Sequence, residues 1–213
     1  MRVVTLVLGG LKTNAYLAAG DADPDALLVD PVAEPDRLIA AAARHGLRIV
    51  AMACTHSHYD HFAGAAGVAE RLGVPFLVGA AALDSLRAEP GRALRDRGVV
   101  VPPPPEPARL LREGDVVAAG SLRFTVLDTP GHWRGDISLY APAERAVFTG
   151  DALFRRAIGR FNPGCDIPTL LHSVRTRLLT LPDETVVYPA HGRATTIGDE
   201  RRHNRSLRDY RDD

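Results

Sequence analysis

The sequence predicts an α/β fold of two β-sheets packed back to back, with helices on the outside. Three observations lead there. Strand-like runs followed by helix-like runs occur twice along the 213 residues. Ile49–Cys54 is apolar almost without a break, as expected of a strand buried on both faces. The polar clusters that bear chemistry come directly after strand-like runs, punctuated by Gly or Pro.

In chain order, Val3–Leu8, Asn14–Ala19 and Ala26–Asp30 are short apolar runs. The third follows the turn cluster Asp21–Asp25, and together they predict an antiparallel start to a sheet. Pro35–His45 predicts a helix. Pro35 suits its first turn, Leu38, Ile39 and Ala42 recur at helical spacing, and Gly46 stops it. Ile49–Cys54 is the buried strand, and the polar segment Thr55–His61 follows it. Ala63–Leu72 reads as a helix ended by Gly73, and Pro75–Val78 as a short strand. Ala80–Arg97 is helical in character but interrupted at Pro90-Gly91. Pro102–Pro105 cannot be helix and predicts an extended surface loop rather than a linker, because the segments flanking it repeat one pattern.

Val116–Ala119 and Leu122–Leu127 flank a hairpin signal at Ala119-Gly120-Ser121. Ile137–Tyr140 and Ala146–Thr149 are two more strands. Asp166 predicts a helix cap, with Leu170, Leu171, Val174, Leu178 and Leu179 forming the apolar face behind it. Val186–Tyr188 is a last buried strand before a polar end.

Composition narrows the function. Lys plus Arg and Asp plus Glu each number 26, so the formal net charge is zero. A neutral chain lacks the broad basic footprint of a nucleic-acid binder or a polybasic membrane dock. The length suits one buried core, and one domain over residues 1–213 is expected. Cys54 and Cys165 give no disulfide framework, which fits a reducing, cytoplasmic setting. The N-terminal apolar run reaches Lys12 too soon for a signal peptide. No apolar run approaches the ~20 residues of a membrane span.

The eight His are the informative count, because imidazole is both a metal ligand and an acid/base group near neutral pH. Thr55-His56-Ser57-His58-Tyr59-Asp60-His61 gathers three of them with a carboxylate in one loop. Packed without a metal, these groups would repel as cations. Imidazole nitrogens with a carboxylate oxygen suit Zn²⁺ or another borderline divalent ion. Asp128-Thr-Pro-Gly-His132, Phe148-Thr-Gly-Asp151 and Tyr188-Pro-Ala-His191 are each weak alone. A lone loop His or turn Asp is ordinarily a surface residue. Together they share one geometry: strand, punctuation, ligand type.

The pattern H-x-H-x-D-H at 56–61, followed in order by His132, Asp151 and His191, resembles the metallo-β-lactamase-fold hydrolases. The resemblance runs from Thr13-Asn14-Ala15-Tyr16-Leu17 almost to the C-terminus. It implies a four-layer αββα sandwich with two divalent metals, zinc first and iron or manganese as alternatives, at one edge between the sheets. It implies that His56, His58 and His132 hold one metal, that Asp60, His61 and His191 hold the other, and that Asp151 bridges them. A bridging hydroxide would be the nucleophile, with Asp60 orienting it.

Within the family, Asp151 stands where the commonest true β-lactamases carry Cys. Gly150-Asp-Ala-Leu-Phe154, Ile158-Gly-Arg-Phe161 and Thr195–Asn204 look like the short glyoxalase II-like proteins. The resemblance therefore implies hydrolysis of an acyl thioester such as a hydroxyacyl-glutathione. Glyoxalase II proper has a C-terminal helical domain, which is not expected here because the sequence stops soon after His191. Gly192-Arg193-Ala194 also replaces the aromatic that longer members place after the last ligand. Asn162–Cys165 and Thr169–Val174 also look like the persulfide dioxygenases, which bind one iron, and a non-catalytic metal-binding protein is a third class. Arg160, in the loop after Asp151, is a candidate for a substrate carboxylate. His45, His172 and His203 read as non-ligands, Cys165 as inert, and Trp133 as lining the entrance or packing on the scaffold.

Overall fold

The structure, a computed structural model, describes residues 1–159 and 164–207. The first half of the chain builds one sheet. Strands β1 (Arg2–Leu8), β2 (Thr13–Ala19) and β3 (Asp25–Val29) form an antiparallel meander. β4 (Arg48–Cys54), β5 (Phe76–Gly79) and β6 (Arg109–Leu111) then join in parallel, in the spatial order β1-β2-β3-β4-β5-β6. Parallel neighbours need crossovers. Helix α1 (Pro35–Arg44) makes the first, α2 (Tyr59–Phe62) and α3 (Ala65–Leu72) the second, and α4 (Leu83–Arg97) the third.

The second half repeats the scheme. β7 (Val116–Ala119), β8 (Leu122–Asp128), β9 (Ile137–Ala141) and β10 (Ala146–Gly150) form an antiparallel meander. Helix α5 (Ile167–Ser173) crosses to β11 (Val186–Pro189), which pairs parallel with β10. β12 (Thr195–Thr196) closes that edge, and α6 (Ile197–His203) follows.

Strand alternation sorts the apolar residues into three layers. Leu17, Leu28 and Met52 face out from the first sheet onto Leu38, Val68 and Leu86 of α1, α3 and α4. Their neighbours Tyr16, Leu27, Val29 and Ala53 face inward, against Phe124, Val126, Leu139 and Phe148 of the second sheet. Val147 and Val187 face out from that sheet onto Leu170, Leu171, Val174 and Ile197. Three apolar interfaces between four layers make an αββα sandwich, the expected architecture. No helix among the described residues is long and apolar enough to cross a membrane.

Four local features depart from the sequence reading. Helix α4 runs unbroken through Pro90, although Pro90 cannot donate to the Leu86 carbonyl. Buried Leu86, Glu89 and Ala93 lie on one face across that point, and their packing holds the two turns in line. The polar loop already turns helical at Tyr59–Phe62. β6 is three residues long with one buried side chain, too short to show a period. The helix begun at Ile167 continues as a wider turn through Val174–Leu178, closed by the Leu179 N–H donating to the Val174 carbonyl at 2.8 Å. Asp166 caps the helix as expected, accepting from Thr169 N at 3.1 Å.

Candidate metal centre

Each proposed ligand follows the C-terminal end of a strand: β4 leads to His56, His58, Asp60 and His61, β8 to His132, β10 to Asp151, and β11 to His191. Backbone bonds knit the two sheets together at this point. Ile137 N donates to the Thr55 carbonyl at 2.9 Å, and Asn14 N to the Ala190 carbonyl at 2.7 Å. Buried Asn14 also donates from Nδ2 to the Pro189 and Gly192 carbonyls, each at 2.9 Å, and so holds the loop that carries His191. Gly150, at φ 51, lets β10 turn beside Thr55, where a Cβ would strike the Thr55 side chain.

The side chains gather in two sets. His56 Nε2 and His132 Nε2 lie 2.9 and 3.1 Å from His58 Nδ1. In the other set, Asp60 Oδ2 lies 3.5 Å from His61 Nε2 and 3.6 Å from His191 Nε2. Asp151 stands between them. Its Oδ2 is 3.3 Å from His132 Nε2, while its Oδ1 is 3.7 Å from His61 Nε2 and 3.6 Å from His191 Nε2. The donor atoms of the His56–His58–His132 and Asp60–His61–His191 groups each lie within 4.8 Å of one another.

The donor chemistry fits metal ions. His61 Nε2 and Asp151 Oδ1 are buried with no hydrogen-bond partner among the described residues, although both point into the cluster. Burial, then the neighbouring imidazoles, pushes His56 well below its ordinary range and His58 down to about 2, so both rings present neutral lone pairs. Burial also disfavours charge on His61, but the Asp60, Asp30 and Asp151 carboxylates outweigh it and raise His61 to about 10. A site that concentrates carboxylates around one imidazole in this way has the negative potential a cation needs. Burial would raise Asp60, yet His61, the Thr13 hydroxyl and His191 together hold it below its ordinary value.

Several orienting contacts have no motif of their own in the sequence. Asp30 accepts from Thr55 N at 2.7 Å, from Thr55 Oγ1 at 2.9 Å and from His61 Nδ1 at 3.0 Å. Its only signal is a carboxylate at a strand end before Pro31. Thr13 Oγ1 donates to Asp60 Oδ2 at 2.7 Å, and His132 Nδ1 donates to the Gly159 carbonyl at 2.5 Å. These bonds leave the opposite ring nitrogens of His61 and His132 aimed at the cluster.

The cluster opens into a cleft of about 350 Å³, whose lining includes Leu11, Tyr59, Glu89, Arg92, Arg97 and Phe154 besides five of the ligand candidates, His58, Asp60, His132, Asp151 and His191. A larger cleft of about 520 Å³ is lined in part by Trp133 and touches none of the ligand candidates. Trp133 packs its ring 4.7 Å from that of His58 and lines the larger cleft. Cys165 donates to the Gly159 carbonyl at 3.5 Å. His45, His172 and His203 are exposed and stand outside the cluster. Arg160 lies outside the described residues.

Known proteins resemble this chain over nearly its whole length. The chain is 34% identical to the hydroxyacylglutathione hydrolase GloC of Haemophilus influenzae, over 96% of this chain and 97% of that protein. It is 39% identical to TTHA1623, solved in a di-iron-bound form, with a TM-score of 0.85 over 95% of this chain and 98% of the other. It is 32% identical to the B3 metallo-β-lactamase BLEG-1, with a TM-score of 0.88 over 97% and 99%. The family model described as "Metallo-beta-lactamase superfamily" matches residues 8–191, from the end of β1 to the last His of the cluster. Sandwich, cluster and match coincide, and the chain belongs to the metallo-β-lactamase superfamily.

Proposed function

We propose that the protein is a dinuclear metal hydrolase of acyl thioesters of the hydroxyacyl-glutathione kind, built as one domain over residues 1–213. The observation that carries the metal assignment is Asp151, whose two oxygens face the two sets of ligands separately. On this reading His56, His58 and His132 hold one ion, Asp60, His61 and His191 the other, and Asp151 both. Zinc is the first candidate, and iron and manganese suit the same donors. The di-iron-bound form of TTHA1623 supports two ions and keeps iron in the choice.

Two such ions supply, when bound, an acidified water as nucleophile at neutral pH and a Lewis acid for the substrate carbonyl. The protein's part is positioning. Thr13 fixes the Asp60 carboxylate, which is held ionised and is placed to orient the nucleophile and accept its proton. Asp30 and the Gly159 carbonyl lock the tautomers of His61 and His132. His191, 30% exposed, marks the mouth through which substrate enters. The likeness to GloC favours a thioester, and the likeness to BLEG-1 makes a β-lactam the competitor to test.

Metal content measured alongside a rate panel decides the matter. The panel holds S-lactoylglutathione, other acyl thioesters, a lactone, a β-lactam and glutathione persulfide. Close to two metals per chain with thioesters fastest is the expected result. Faster β-lactam hydrolysis, or one tightly held iron with persulfide-dependent oxygen uptake, overturns the reading.

A further inference from the structure

The charged groups around the cleft are unequally satisfied. Asp60 and Asp151 face the His cluster. Glu89, fully buried at 1% exposure, accepts from Arg92 Nε at 2.6 Å and from a second Arg92 nitrogen at 2.9 Å. Arg92 also lies over the Trp133 ring at 4.8 Å. Its charge is therefore neutralised and its position fixed. Arg97 differs. It is the last residue of α4, it lines the same cleft and it is exposed. Among the described residues its side chain has no hydrogen bond or ion pair.

The surroundings limit what Arg97 can take. Exposed Leu11, from the turn between β1 and β2, and Phe154 and Tyr59 give the cleft apolar surface. A ligand that crosses that surface carries its polar end to the rim. A guanidinium offers a planar fork of donors that matches a carboxylate in two parallel bonds. A guanidinium without a partner among the described residues, at the mouth of a net-neutral protein, also contributes positive potential to the field that an approaching substrate meets.

We propose that Arg97 is a carboxylate subsite: it binds a carboxylate of the substrate's thiol portion while the reacting carbonyl lies against the His cluster, and it makes the protein selective for acidic ligands. The identity of the reaction rests on the thioester-hydrolase reading above; the binding does not.

The test uses the full-length, metal-loaded protein as wild type, Arg97→Ala, Arg97→Lys and Arg160→Ala. Binding is measured by calorimetry with S-hexylglutathione, a thioether that cannot be hydrolysed, and with its diester, which lacks both carboxylates. Hydrolysis is measured with one acyl group carried on glutathione and on neutral N-acetylcysteamine. The subsite predicts that Arg97→Ala cuts the preference for diacid over diester about tenfold, with partial recovery in Arg97→Lys. It also predicts that the salt dependence of diacid binding falls with it. The ratio of kcat/KM between the acidic and neutral thioesters drops by a similar factor, through KM. An unchanged preference in Arg97→Ala, a preference lost in Arg160→Ala alone, or no diacid binding by wild type overturns the subsite. Arg97-dependent diacid binding without thioester hydrolysis overturns the function and leaves the subsite standing. Hydrolysis indifferent to substrate charge does the reverse.

Discussion

Asp30 Oδ2 lies 3.0 Å from His61 Nδ1, and this contact settles which nitrogen of His61 faces the site. Asp30 sits just past β3 at φ 52, and Thr55 N and Oγ1 hold its carboxylate in place. His61 Nε2 is thereby left buried, without a hydrogen-bond partner among the described residues, and aimed at Asp60, Asp151 and His191. Asn tolerates the left-handed backbone region that Asp30 occupies, so Asp30→Asn preserves the turn while removing the charge. Metal affinity is expected to fall about 10–100-fold with the far-UV spectrum unchanged. Competition with a chromophoric chelator measures it, and wild-type affinity would show that His61 is not oriented by Asp30.

Asp151 offers a different outcome. It stands between the two ligand sets, so Asp151→Ala removes a contact from both. Metal content is expected to fall from close to two per chain to one or fewer. Hydrolysis should drop by more than the roughly 10–100-fold of a residue that only orients a ligand. Elemental analysis after gel filtration, beside the rate, checks both. Two retained metals would mean that the carboxylate does not bridge.

The layered fold and the clustering of the candidate ligands were both legible, for one reason. Short unbroken apolar runs such as Leu27-Leu28-Val29 expose strands buried on both faces, and candidate ligands placed at strand ends inherit that signal. What escaped lacks a local pattern. β6 is held as an edge strand by pairing with β5, not by its own sequence. The continuity of α4 through Pro90 depends on tertiary burial overriding a local breaker. Asp30 is one carboxylate among 26 acidic residues until the fold brings it to His61, 31 positions later. Glu89 and Arg92 stand three positions apart in α4 without any motif, and only the fold puts their pairing in the cleft wall.

Asp136 gives a pH dependence whose sign can be worked out. Its Oδ2 accepts from Trp133 N at 2.6 Å, while Oδ1 is buried without a hydrogen-bond partner among the described residues. Burial drives its carboxyl well above the ordinary 3.8, and Asp151 adds to this against the pull of the Trp133 N–H. A raised group contributes its full stability below the unfolded value and loses it as pH rises toward the folded one, because only the unfolded chain ionises. Asn keeps the acceptor, supplies a donor and does not titrate. In metal-free protein, Asp136→Asn is expected to gain on wild type as pH rises above about 4, with a limiting slope of about 1.4 kcal/mol per pH unit. Urea unfolding at several pH values measures the difference. A constant difference would mean that Asp136 ionises normally in the fold.

Gly131 joins the ligand loop to α5. It adopts φ 130, and a Cβ there would collide with the backbone of Leu170. Its carbonyl accepts from Asp166 N at 2.8 Å, the residue that caps α5, and His132 follows it directly. Gly131→Ala therefore combines backbone strain with displacement of a packed helix, and a loss of about 2–4 kcal/mol is expected. Metal retention should weaken with it, since His132 moves with the loop. Gly46 separates the two causes: it also has positive φ, 63°, but nothing lies within 4 Å of its Cβ position. Gly46→Ala should cost only about 1 kcal/mol and leave the metals untouched. Denaturant midpoints and metal content of the two variants make the comparison. Equal losses would mean that α5 yields to the added methyl, and that its docking on Gly131 does not hold His132 in place.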